Sequence, residues 1–199
     1  MYKLEEALQK ALHKEKQLRV VGFDDAPFQK ARGSVVNLSG IICSNTRFEG
    51  MLWGELEKDG TNATEVLIEL LTNSKFYSQL HLVLTDGIAF DGFNIIDLPK
   101  LSIALNLPCI AVMRKMPNLT AINDALKNFD DYTSRYELVL KAGEIYQHDA
   151  FYFQCAGCSS DTAARALIKL TDTGNVPEAL RLAHLIGSAV KTGQSGKRA

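Results

Sequence analysis

Apolar positions fall into short uninterrupted runs in some stretches and into helical spacing in others, and that difference divides the chain into elements. Leu18-Arg19-Val20-Val21-Gly22-Phe23 is closed by two adjacent carboxylates, Asp24 and Asp25, and Leu82-Val83-Leu84-Thr85 is closed by Asp86-Gly87. Short runs rich in β-branched residues and bounded by turn formers predict strands over 18–25 and 80–85. Two further runs, over 35–44 and 48–57, are joined by Ser44-Asn45-Thr46, so the first three strands read as an antiparallel meander. Helical spacing follows over 63–71 and 95–105, with a strand over 109–113 after Pro108. That alternation of helix and strand predicts parallel pairing. Helices are predicted over 119–128 and 132–142, a hairpin across 144–154, and helices over 162–170 and 177–190. Pro177 suits a helix start, and Glu178 suits the positive end of the helix dipole. At the beginning, Leu4, Ala7, Leu8, Ala11 and Leu12 recur among Lys and Glu, which predicts an amphipathic helix over 1–17.

A three-strand meander followed by helix, strand, helix, strand, helix is the element order of the ribonuclease H-like fold. The expected fold class is therefore α/β, a mixed sheet with an antiparallel meander followed by parallel strands and flanked by helices. In that order the first and fourth strands are neighbours, which would bring Asp24 beside Asp86. Two carboxylates that close remain ionised only with a cation between them, so a divalent metal site is one reading. The competing reading is that each Asp caps the turn after its strand through a side-chain oxygen.

Composition adds bounds. The 199 residues suffice for one sizeable domain, here expected over 1–199 with a flexible tail at 191–199, and 46% hydrophobic with 23% charged residues is ordinary for a globular chain. A formal net charge of -1 gives no general basic field, so any nucleic-acid binding rests on a local patch. No apolar stretch reaches the roughly 18 residues of a membrane span, and no signal peptide is visible, so a cytoplasmic protein without membrane association is expected. Cys155 and Cys158 form a Cys-x-x-Cys ahead of a helix, a place for redox chemistry or simply for small side chains at a tight turn. No nucleophile elbow or zinc-protease motif is present, and Gly193-Gln194-Ser195-Gly196-Lys197 is too short for a phosphate loop.

Four blocks carry a family resemblance: Gly22-Phe23-Asp24-Asp25-Ala26-Pro27-Phe28, Asp86-Gly87-Ile88-Ala89-Phe90-Asp91-Gly92-Phe93-Asn94, Arg114-Lys115-Met116-Pro117, and Pro177-Glu178-Ala179-Leu180-Arg181-Leu182-Ala183-His184-Leu185. Together they resemble the endonuclease dU family, which in turn looks distantly similar to endonuclease V. The resemblance implies a magnesium-dependent endonuclease, with manganese as an alternative ion, that nicks DNA (or RNA) at or near deaminated bases such as deoxyuridine. A protein that binds nucleic acid on the same fold without cutting it is the alternative.

Carried over by residue, the resemblance implies Asp24 and Asp86 as catalytic metal ligands, with Asp25 as a further ligand or orienting group. Glu57, Asp59 and Glu65 all lie where a third acid is expected, and Asp59, in the Asp59-Gly60-Thr61 turn, is the choice among them. His184 stands where that nuclease has a late histidine; the other reading is a histidine satisfied within its helix. Arg32, Arg114 and Lys115 are candidate phosphate contacts, because Arg grips phosphate with two hydrogen bonds and Lys acts as a point charge. Phe90 and Phe93 are candidates for stacking on an extruded base, or else for burial beneath their loop. Oligomeric state is left open.

Overall fold

The computed structural model describes residues 3–14, 16–27, 34–90 and 92–196. Strands β1 (Arg19–Asp25), β2 (Val35–Ser44), β3 (Arg47–Glu57), β4 (Leu82–Asp86), β7 (Cys109–Met113), β8 (Tyr146–His148) and β9 (Phe151–Ala156) form a seven-stranded sheet in the order β3-β2-β1-β4-β7-β9-β8. Two short strands, β5 (Ala89–Phe90) and β6 (Asn94–Ile95), pair as a separate antiparallel ribbon. The expected meander is present, with β1 antiparallel to β2 and β2 to β3. β1 and β4 are parallel neighbours, as are β4 and β7, while β9 returns antiparallel to β7.

β1 is central, so its side chains are covered on both faces, and its sequence is a continuous apolar run rather than an alternation. Val20 joins the core cluster under α1 (Glu6–His13), α6 (Ser160–Lys169) and α7 (Glu178–Thr192). Val21 and Phe23 join the one under α2 (Ala63–Thr72) and α3 (Leu98–Leu105). Helices α4 (Leu119–Leu126) and α5 (Tyr132–Lys141) close a smaller apolar cluster around Ile95, Leu126 and Val139.

Most boundaries fall within two residues of the sequence reading, and two helices differ by more, each for a local reason. The first helix is shorter than 1–17: a 3-10 turn at Lys3–Glu5 leads into α1, which ends at His13 because Lys14, Lys16 and Gln17 offer nothing apolar to bury. α3 starts at Leu98 rather than 95, since the Asp97 carboxylate accepts from the Lys100 amide at 3.0 Å and Pro99 fits the first turn. Ile95, read as helical, belongs instead with Asn94 to the β5–β6 ribbon.

Placement of α7 depends on a glycine. A Cβ at Gly22 would lie 2.7 Å from the backbone carbon of Ala179, so only a residue without a side chain allows the helix this close to β1. Further along, Gly187 packs on Ala26 with 3.3 Å available to a Cβ. From Ala179 to Gly187 the helix advances about 12 Å at 1.5 Å per residue, and from Gly22 to Ala26 the strand advances about 13 Å at 3.3 Å per residue. The helix thus lies along the strand, and residues between these two contacts face the end of β1.

Candidate active site at the carboxyl edge of the sheet

The β1–β4 register ends at Phe23 opposite Thr85, so the next residues, Asp24 and Asp86, are level on adjacent strands. Both fall on the alternation that carries Val20, Leu82 and Leu84 into the α7-side cluster, so both carboxylates belong to that face. Asp24 is 4% exposed. His184, one helical turn past Leu180, places Nδ1 at 2.9 Å from Asp24 Oδ2, and the Asp25 amide donates to Asp24 Oδ1 at 2.9 Å. The imidazole is about one-third exposed, its side-chain value being 34%, so the ring is reachable from solvent.

Electrostatics tie the pair together. Burial first, then the Asp86 and Asp25 charges, push the Asp24 carboxyl up to about 8. Burial also raises Asp86, while the Arg114 guanidinium, 3.7 Å away, acts in the opposite direction. Asp25 raises both, and lies half-buried at the end of β1.

A third group on this face escaped the sequence reading. Ser39 of β2 stands directly across from Asp24; its side chain is fully buried, and its hydroxyl has no hydrogen-bond partner among the described residues. An orphaned hydroxyl beside two desolvated carboxylates is what a site completed by water and a cation would leave. All these donors are oxygens, which suit a hard divalent cation such as magnesium. Asp24 and Asp86 are the residues that could hold it, with Asp25 beside them. Among the described residues no group of three or more His, Cys, Asp or Glu side chains is arranged to hold a metal ion.

Asp59 is engaged elsewhere. Its Oδ1 accepts from the Phe93 amide at 3.0 Å, its other oxygen pairs with Lys58, and its backbone has a positive φ of 54°. Glu65 pairs with Lys100 across the α2–α3 surface. Phe90 is buried in the core, whereas Phe93 is half-buried and stands edge-on to Phe129 with ring centroids 5.5 Å apart. Arg114 and Lys115 are exposed just past β7, at the same edge of the sheet as Asp86. Arg32 lies outside the described residues, as does Asp91.

The loop after Asp86 is held by a residue that no motif announced. Arg135, buried on α5, donates to the carbonyls of Phe93 at 2.6 Å, Asp59 at 2.8 Å and Gly60 at 3.1 Å, and its Nε binds Asp131 at 2.7 Å. Its guanidinium also covers the Phe129 ring at 4.5 Å. Between this loop and α4 opens an apolar cavity of about 250 Å³, beginning at Gly87 and reaching Met113, which immediately precedes Arg114. In sequence, then, the cavity starts one residue past Asp86.

The Cys-x-x-Cys forms no disulfide. Cys158 is buried and pushed up in pKa by its hydrogen bond with Cys155 and by burial, and the same hydrogen bond lowers Cys155. No helix among the described residues is long and apolar enough to cross a membrane.

Comparison with known proteins bears on this arrangement. The sequence profile of a family described as Endonuclease dU matches residues 16–191. A UPF0215 protein of Thermococcus gammatolerans is 41% identical over 189 residues, which cover 91% of this chain and 96% of that protein. A protein of unknown function from Archaeoglobus fulgidus has a similar crystal structure, with a TM-score of 0.83 and 31% identity over 87% of this chain and 98% of that one. Endonuclease V of Ciona intestinalis, in complex with a 24mer DNA containing an inosine followed by a ribo-adenosine, aligns with a TM-score of 0.56 and 15% identity over 90% and 92% of the respective chains. At that identity the likeness concerns the fold, which is ribonuclease H-like.

Proposed function

The chain belongs to the endonuclease dU family, and from that membership together with the geometry of Asp24, Asp86 and His184 we propose that it is a divalent-metal-dependent endonuclease nicking DNA at or near deaminated bases such as deoxyuridine. The observation that carries the reading is the Asp24–His184 contact beside Asp86, at the carboxyl ends of two parallel strands, where ligands gather in open α/β sheets. Support for a nucleic-acid substrate comes from the shared fold with an endonuclease V bound to inosine-containing DNA.

Asp24 and Asp86 would hold the cation, magnesium or manganese, with Asp25 adjusting the charge around it. When bound, such an ion supplies charge neutralisation at the scissile phosphate and acidifies a water ligand. With Asp24 ionised, its carboxylate accepts the Nδ1–H of His184, which fixes the tautomer and leaves Nε2 to accept a proton from the attacking water or to return one to the leaving oxygen. Ser39 would donate its unused hydroxyl hydrogen to an oxygen in the site. Arg114 and Lys115, exposed at the same edge, would grip flanking phosphates, and Asp86 orients the Arg114 guanidinium. Phe93, at the rim of the apolar cavity, would lie against an extruded base.

A second reading, nucleic-acid binding without cleavage, is favoured by one observation: the Asp59 carboxylate is occupied by Lys58 and the Phe93 amide rather than directed at the Asp24–Asp86 pair. The test that separates them uses end-labelled duplexes carrying deoxyuridine, deoxyinosine or no lesion, with magnesium or manganese. Lesion-dependent nicking that disappears in Asp24→Asn and Asp86→Asn, and falls about 10²–10⁴-fold in His184→Ala, is expected of a proton-transferring histidine. Binding without nicking under either metal would establish the second reading.

A further inference from the structure

The cavity past Asp86 has one polar side chain among its described lining residues, Gln154, set among Phe93, Met113, Leu119 and Ile122. Gln154 projects from β9 opposite Ala111 of β7 and is only 4% exposed. Its Nε2 donates to the Gly143 carbonyl at 2.8 Å. A carbonyl can only accept, so the amide cannot flip without losing that bond: the NH2 group is committed to Gly143, and Oε1 is committed to the other side. No described residue donates to Oε1. Gln154 therefore offers a fixed acceptor in the lining of an otherwise apolar cavity, open to the donor of a ligand that fills it.

The cavity volume, about 250 Å³, lies just below the roughly 300–1,000 Å³ of sites for drug-sized ligands, so a single small heterocycle fits the available space. Deamination changes the hydrogen-bonding edge of such a ring in one consistent way. Cytosine and adenine carry a ring-nitrogen lone pair beside their amino group; uracil and hypoxanthine carry a ring N–H beside a carbonyl. An acceptor that cannot rotate meets a donor in the deaminated base and a lone pair in its parent.

We infer that Gln154 is the specificity-determining residue of this cavity, its Oε1 accepting the lactam N–H of an extruded uracil or hypoxanthine and turning away cytosine and adenine. Because this deepens the proposed endonuclease reading and rests on it, the test separates the two. Wild-type and Gln154→Leu proteins are compared on oligonucleotides that differ at one position, deoxyuridine, deoxyinosine, N3-methyl-deoxyuridine or deoxycytidine. Nicking is measured in the wild-type background and binding by fluorescence anisotropy in the Asp86→Asn background. The wild type should prefer deoxyuridine and deoxyinosine and treat N3-methyl-deoxyuridine, whose N–H is blocked, like deoxycytidine. Gln154→Leu should lower the deoxyuridine preference about 10–100-fold, as expected for one base-reading contact, while general affinity for DNA stays. Unchanged preference in Gln154→Leu, or full recognition of the N3-methylated base, would overturn the inference while leaving the nuclease intact. Absence of nicking by the wild type, with the binding preference still present and still dependent on Gln154, would sink the nuclease reading instead. The methylated base requires no mutation, so a variant that folded poorly would not decide the outcome.

Discussion

Replacing Asp24 with Asn should make the metal-free protein more stable near neutral pH, by an amount that depends on pH. Burial and the adjacent Asp86 and Asp25 charges lift the Asp24 carboxyl from 3.8 to about 8. Between those two values the folded protein holds a proton that the unfolded chain has released. The contribution is therefore fully present below the lower value, declines as pH rises, and is exhausted above the upper one. At pH 7 the distance from the unfolded value is 7 − 3.8 = 3.2 pH units, which at 1.36 kcal/mol per unit is about 4 kcal/mol. That figure is a ceiling, since the His184 Nδ1 contact at 2.9 Å supplies the ionised carboxylate with a hydrogen-bond partner. Asn has the same shape and no charge to desolvate, so it removes this pH dependence. Urea unfolding of both proteins at about pH 5 and pH 8 in the presence of a chelator measures the effect, and the difference between the proteins cancels every other titrating group. Magnesium or manganese should act in the opposite sense, stabilising the wild type more at the higher pH by about 2.7 kcal/mol at a hundredfold excess over the dissociation constant, and leaving Asp24→Asn unmoved. Identical pH profiles for the two proteins, or an equal metal response, would refute the reasoning.

Other perturbations test other parts of the site. Arg135→Ala leaves the carbonyls of Asp59, Gly60 and Phe93 without their buried donor and should cost about 3–5 kcal/mol in urea unfolding, as for a buried charged partner removed from its network. Gly22→Ala places a methyl group 2.7 Å from the Ala179 backbone and should cost about 1–3 kcal/mol through overpacking, with nicking reduced further because His184 moves away from Asp24. Arg114→Met takes away the cation that opposes the upward shift of Asp86, so the pH at which nicking is half-maximal should move up, as read from a pH–rate profile.

The strands that matter most were legible in the sequence because they are short, apolar and sharply ended, and the adjacency of the first and fourth followed from the order of elements. The same reading placed Asp24 and Asp86 level with each other, and the register now shows why. Residues that act across the fold were not legible. Ser39 becomes notable only because antiparallel register sets it across from Asp24, and Gln154 only because Gly143 pins its amide. Arg135 stands in no motif, and its work is done on carbonyls contributed by segments far away in sequence. Asp59 had the expected residue type in the expected stretch, but the turn that gives it a positive φ also commits its carboxylate to the Phe93 amide. Local pattern specifies elements well, and it says little about which polar group will find which partner.

The contact between His184 and Asp24 joins residues 160 positions apart, and that separation has a meaning in time as well as in space. At roughly 5–20 residues per second, a ribosome needs on the order of 10–30 s to pass from one to the other. Over the last 184 − 86 = 98 positions of that interval the emerging chain carries both carboxylate strands but lacks the helix that supplies the imidazole. The Asp24–His184 contact is thus among the latest in the fold to form, and it is made only when α7 settles onto Gly22.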